Sequence, residues 1–312
     1  MDELQQRVLD GEISTKELGS YFIELPPDAE TLEPKFILNP EKVLVPAEEV
    51  TLESALLLNT ANTLFAWQRK VAYEKKKAKG GPNLIRVIAE GDSWFQYPKI
   101  LWDVIDKLGE RDDLAIRCFS AAGDVLSNMV AHPQFVEAIR SEKPKYFLLS
   151  GGGNDLVDGQ GLRLLLKKYD PKLKPAQYLN GNYAAFKARI TRLYKDILTL
   201  IFRESPTIHV ICHGYAYAIP DSKRGPWLGK PMEELGISDR TLQFSIMKLI
   251  VDDIQSAIKA GIAQATDGTS FKASFVDNRK SIPTEGNCWH DEFHPTNEYF
   301  AKVADKISKL IK

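Results

Sequence analysis

Apolar positions divide the chain near residue 80. From Leu84 onward, short apolar runs rich in β-branched and aromatic residues alternate with segments in which apolar residues recur every three or four positions. The runs are LIRVIAE, LAIRCFS, YFLLSGG, TIHVICHGY and ASFVD, and each is followed by a loop and then by helical spacing. That spacing is clearest at Phe186, Ile190, Leu193, Ile197 and Ile201, at Leu242, Ile246, Leu249, Ile250 and Ile254, and at Phe300, Val303, Ala304, Ile307 and Leu310. Strand, helix and strand repeated in this way predict right-handed crossovers, hence a parallel sheet of about five strands with helices on both faces. The expectation is a three-layer α/β/α domain over residues 81–312. Ligands of such sheets bind beyond the carboxyl ends of the strands.

Ahead of that domain the pattern changes. Residues 1–50 carry twelve acidic and four basic side chains, and LPPDAETLEPKFILNPEKVLVP holds five of the 17 prolines. That stretch reads as an irregular connector rather than a core element. From Thr51 the spacing becomes helical, with Leu57, Ala61, Leu64, Phe65, Gln68, Val71 and Ala72 on one face, until KKKAKGG ends it at Gly80 and Gly81. Residues 1–80 are thus expected to form an N-terminal helical extension. Its apolar stripe needs cover, from the domain that follows, from self-association or from another partner. The lysine run reads as a solvated helix end that complements the helix dipole.

Composition removes several classes of function. The 312 residues are 44% hydrophobic, and 41 basic against 42 acidic residues leave a net charge of −1. No global field favours nucleic acid or an anionic membrane, so no nucleic-acid partner is expected. The start MDELQQRVLDGE lacks the apolar core of a signal peptide, and no run approaches the ~18 apolar residues of a membrane span. A cytoplasmic location and no transmembrane segment follow as expectations. Cys118, Cys212 and Cys288 are odd in number and far apart, which reads as buried free thiols rather than disulfides or structural zinc.

The ends of the predicted strands carry the chemistry. The first run delivers Gly91, Asp92, Ser93 and Trp94, the second ends in SAAGD with Gly123, and the third ends in SGGGND with Asn154. The fourth brings His213 and Tyr215, and the segment after the fifth, NCWHDEFHPTNEYF, contains Asp291 and His294. Singly these are a turn serine, a permissive glycine and a capping asparagine. Together they supply a nucleophile, a base and an orienting carboxylate on one rim.

GDSW, AGD, GGND and DEFHP, in that order across residues 84–312, closely resemble the four blocks of the SGNH, or GDSL-type, hydrolases. Trp94 stands where the family name has leucine, and residues 1–80 match no part of that family. The resemblance implies a serine hydrolase that cleaves carboxylic esters without metal or organic cofactor. Ser93 would be the nucleophile, His294 the general base with Asp291 three residues before it, and Gly123 and Asn154 oxyanion donors.

The chemistry asks for the same residues. A serine hydroxyl needs an imidazole to take its proton, and the imidazole needs an acceptor on its other nitrogen. The oxyanion of the tetrahedral intermediate needs aimed donors, which the Ser93 and Gly123 amides and the Asn154 side chain would provide. The same machinery serves an acyltransferase, and a non-catalytic binding or scaffold protein is the third reading, which the intact set of five residues disfavours. HDEFH spaces His290 and His294 like a zinc-binding helix, but Asp291 occupies the place of the glutamate and Pro295 stops a helix, so no metal is expected.

Substrate contacts are expected from the long loops at residues 156–182 and 214–237. Trp94, His213, Tyr215, Trp227, Trp289 and His290 are the candidates for contact with a small-molecule, carbohydrate or lipid ester. Arg163, Lys167, Lys168, Lys172 and Lys174 read as a solvated helix face.

Overall fold

The computed structural model describes residues 2–25, 35–43, 54–97, 101–158, 161–285 and 287–312. All five apolar runs form strands: β3 (Ile85–Glu90), β4 (Leu114–Cys118), β5 (Tyr146–Leu149), β6 (His209–His213) and β7 (Lys272–Val276). They build one parallel sheet in the order β4-β3-β5-β6-β7. Every residue of β5 is buried, which is why it reads as an unbroken apolar run rather than an alternating one. The chain winds from β3 out to β4 and then back across to β5, so the order reverses between β3 and β5. A crevice opens at the carboxyl ends of the strands at such a reversal. The segments that follow β3 and β5 carry Ser93 and Asn154 there.

The helical periodicities become Gly181–Glu204, Arg240–Thr266 and Asn297–Ser308. Ile190, Ile197, Ile201, Ile246, Ile250 and Phe300 are fully buried on their inward faces. Each such side chain contributes about 1.5–3 kcal/mol by leaving water. The main core is one cluster that runs from Val87 to Ile311.

The first eighty residues hold more structure than their composition suggests. Phe22–Leu25 (β1) and Lys35–Leu38 (β2) pair antiparallel, with Phe22 opposite Leu38 and Glu24 opposite Phe36. Phe36 is fully buried and Leu38 nearly so, so the proline-rich stretch does contain a core element. Its KFIL segment alternates half-exposed and buried positions, and four residues are too few to stand out among prolines. Residues 26–34 and 44–53, with the expected helix start at Thr51, lie outside the described residues.

The helix Ser54–Lys79 follows and ends just ahead of Gly80. Its Leu57, Leu64 and Phe65 are buried within this chain, in a second cluster with Phe22, Phe36 and Ala122. The stripe from Leu57 to Phe65 therefore finds its cover intramolecularly, whereas Gln68 and Val71 are half-buried and Ala72 is exposed, because the buried face passes to Arg69 and Tyr73 in the later turns. Polar contacts reinforce the apposition. Arg69, 7% exposed, pairs with Asp103 at 2.6 Å and Asp106 at 2.9 Å, and Tyr73 donates to Glu142 at 2.7 Å.

Candidate active site

Ser93 follows β3 in a tight turn that two features shape. A Cβ on Gly91 would come within 2.8 Å of the Ser150 carbonyl, so only glycine lets the chain pass the end of β5 here. Asp92 then accepts the Trp94 N–H at 3.1 Å and the Ser150 hydroxyl at 2.8 Å through one oxygen, and the Tyr215 hydroxyl through the other. Burial, with the Asp92 charge beside it, holds the Tyr215 phenol well above its usual range, so it remains a donor. Asp92 and Tyr215 thus brace the turn beneath the serine.

The Ser93 hydroxyl lies 2.6 Å from His294 Nε2. His294 Nδ1 lies 2.7 Å from Asp291 Oδ2, and Asp291 Oδ1 accepts the backbone N–H groups of Phe293 and His294, both at 2.7 Å. Burial opposes the charged form of Asp291, but His294 and these N–H groups outweigh it and lower the carboxyl below its ordinary value. An ionised Asp291 is an acceptor for an Nδ1 proton and so favours the tautomer in which Nε2 accepts from the serine. All three residues are buried. The Trp94 indole N–H donates to the Phe293 carbonyl at 3.2 Å, tying the serine turn to the histidine turn.

Asn154 lines the same slot as Ser93 and His294, with Val157, Trp227 and Phe293 as apolar walls. One Asn154 amide hydrogen is used on the Asp124 carbonyl at 2.8 Å, and the other remains for a ligand. Gly123 adopts φ +84, a left-handed turn that favours glycine, and lines the neighbouring cleft rather than the slot itself. Among the described residues, the backbone N–H groups of Ser93 and Gly123 have no protein acceptor.

Of the substrate-contact candidates, Trp94, Tyr215 and Trp227 line the slot. His213 is 1% exposed beneath it, its ring stacked on Trp94 at 5.6 Å and its Nδ1 at 3.1 Å from the Gly214 carbonyl. Trp289 is buried and donates to the Pro283 carbonyl at 2.9 Å. His290 faces outward to Glu24 at 3.8 Å, and that carboxylate raises the pKa of the imidazole. His290 and His294 therefore face different carboxylates, Glu24 and Asp291, although both rings pack on Tyr97, and the helix begins only at Asn297. Val157 is the wall from the 156–182 loop, of which residues 159–160 lie outside the described ones. Arg163 there pairs with Glu234.

Three residues that shape the site were given no role by the sequence: Asp92 as brace, Asp155 accepting the Leu126 N–H at 3.0 Å, and Tyr97, whose ring meets that of His294 at 4.7 Å. Asp92 stood inside the GDSW block and Asp155 inside GGND, and those places were the available cues.

Neither a protein-family model nor a curated protein sequence matches the chain. Among solved structures, it is similar to a family 3 carbohydrate esterase from Clostridium thermocellum, at 14% identity and a TM-score of 0.43, over 72% of this chain and 94% of that one. It is similar also to a family 3 carbohydrate esterase from Talaromyces cellulolyticus, at 15% identity and 0.42, over 73% and 97%. A third is the salicylyl-acyltransferase of a tetracycline biosynthetic pathway, at 14% identity and 0.46, over 74% and 56%. These likenesses are distant.

Proposed function

We propose that the chain is an SGNH-type serine hydrolase that cleaves carboxylic esters through an acyl-enzyme intermediate. The observation that carries this reading is the unbroken run of hydrogen bonds from Ser93 Oγ through both ring nitrogens of His294 to Asp291, at 2.6 Å and 2.7 Å. A buried serine so partnered has a base in place for its proton.

His294 Nε2 takes the hydroxyl proton as Ser93 Oγ attacks the ester carbonyl. The resulting imidazolium is stabilised by Asp291, which keeps its own charge. Negative charge collects on the former carbonyl oxygen, where the Ser93 and Gly123 amides and the second Asn154 amide hydrogen are the available donors, each worth about 3–4 kcal/mol in the transition state. The C–O bond to the alcohol breaks as Nε2 returns the proton to the leaving oxygen. Water then attacks the acyl-serine with His294 again as base, releasing the acid and restoring the serine. The slot between Val157, Trp227 and Phe293 is narrow and apolar, which suits a short acyl chain. Residues 81–312 carry the chemistry in this reading, and residues 1–80 buttress it.

The test is a panel of aryl and alkyl esters graded in acyl length, assayed with and without a chelator and with an added alcohol. Hydrolysis that falls with acyl length and survives chelation supports the reading. Activity abolished by the chelator contradicts it, and transfer to the alcohol outrunning hydrolysis makes the enzyme an acyltransferase.

A further inference from the structure

Glu292 stands between two members of the triad, yet its fully buried carboxylate belongs to a different network. Oε1 accepts the backbone N–H groups of Asp221 at 2.8 Å and Gly229 at 2.7 Å. Oε2 accepts those of Trp227 at 2.8 Å and Leu228 at 3.0 Å. All four donors come from the 214–237 loop, whose Trp227 walls the slot and meets the Phe293 ring at 6.0 Å. Burial pushes the Glu292 carboxyl up to about 7, and the four converging N–H groups, which match the roughly four lone-pair directions of a carboxylate, pull the other way toward its charged, acceptor-only form. The fit is close on the loop side too: a Cβ on Gly225 would come within 2.6 Å of the Trp227 ring and 2.9 Å of Glu292 Oε2. The loop leaves this centre through Asp221, which pairs with Arg240 at 2.9 Å.

We infer that Glu292 is a positioning residue for substrate selectivity: it fastens the 221–229 segment, and Trp227 with it, to the turn that carries Asp291 and His294. The acyl wall and the base are then held in register by one side chain. This rests on the esterase reading above. Replacing the carboxylate by an amide turns one acceptor into a donor facing N–H groups, so two of the four loop contacts lose their partner. The loop loosens, the Trp227 wall shifts, and discrimination between acyl chains weakens.

The experiment is steady-state kinetics of Glu292→Gln, Trp227→Ala and the double variant on a short and a long acyl aryl ester, with fluorophosphonate labelling of the wild type as the check on the esterase reading. The expected result is that Glu292→Gln shifts the ratio of kcat/KM between the two esters by roughly tenfold, mainly through KM. The double variant should then show the selectivity of Trp227→Ala alone. A uniform fall in kcat on both esters with the ratio intact, or effects that multiply in the double variant, would overturn it, because Glu292 would then act through Asp291 and His294 or through stability alone. Should Glu292→Gln not fold, Gly225→Ala crowds the same contact from the loop side; a shifted ratio supports the inference and an unchanged ratio overturns it. A wild type that neither labels nor hydrolyses esters refutes the esterase reading itself.

Discussion

The carboxamide of Asn62 grips the backbone of Ala122 at both its polar groups: Oδ1 accepts the N–H at 3.2 Å, and Nδ2 donates to the carbonyl at 3.3 Å. Gly123 is the next residue, so a helix from the first eighty residues holds the turn that bears a proposed oxyanion donor. On the other side of the site, Glu24 of β1 accepts the Tyr97 hydroxyl at 2.7 Å, and Tyr97 packs edge-on against His294. The first eighty residues thus brace the candidate site through both Ala122 and Tyr97.

Asn62→Ala should lower kcat by roughly tenfold with KM little changed, less than the hundredfold to thousandfold expected when a donor is removed outright. Asn62→Asp keeps the acceptor for the Ala122 N–H and should recover part of the loss. Steady-state kinetics beside a melting curve decide the matter: a lowered Tm with unaltered kcat would make Asn62 a stability residue only.

Arg69 makes the same connection through charge. Burial pushes the Asp103 carboxyl up to about 7 even with the Arg69 guanidinium beside it. Arg69→Met would strand that carboxylate and leave the Phe95 carbonyl without the guanidinium N–H that now donates to it. The expected loss is about 3–5 kcal/mol, read from urea unfolding. Arg69→Lys should recover little, since one ammonium cannot reproduce the planar fork.

Glu90, at the end of β3, predicts a pH dependence of stability. Burial, and then the charge of Asp124, push its carboxyl from 4.5 up to about 8, against the pull of the Gly91 N–H. Between those values the folded protein keeps a proton that the unfolded chain releases, so stability falls as pH rises through the window and levels off above it. Glu90→Gln removes that slope while retaining an acceptor for Gly91. Melting curves should show the two proteins nearly equal at about pH 4 and the variant several degrees higher at about pH 9. Equal melting at both values would mean that Glu90 is not held protonated.

The parallel sheet was legible because strands buried on both faces leave compact apolar runs, and because loop and helix follow each in turn. The residues of the candidate site stood out because a parallel sheet delivers the residues after its strands to one rim, where chemically paired types are conspicuous. KFIL was hidden by its proline-rich surroundings, although burial of Phe36 against Phe22 makes it part of a core. Glu292 was hidden for another reason. Its four partners are backbone N–H groups 63 to 71 residues away, and main-chain donors leave no trace in side-chain identity. His213 and Trp289 were named for aromatic character, which does not separate a ring facing the slot from one stacked beneath it.

Asn154→Ala removes a proposed oxyanion donor and also the tie to the Asp124 carbonyl. Turnover should fall roughly a hundredfold to a thousandfold, with Ser93 still labelled by a fluorophosphonate, only more slowly. Unchanged turnover would take Asn154 out of the site's chemistry.

Whether Ser93 is the nucleophile is decided by the intact mass of the protein after exposure to a fluorophosphonate, with the modified peptide sequenced. The wild type should gain one adduct, placed on Ser93, and Ser93→Ala should gain none and lose ester hydrolysis while melting as the wild type does. His294→Ala should label orders of magnitude more slowly, and combining it with Ser93→Ala should cost little beyond either change alone, since members of one catalytic unit are strongly non-additive. An adduct on another residue, or full ester hydrolysis by Ser93→Ala, would mean that Ser93 is not the nucleophile.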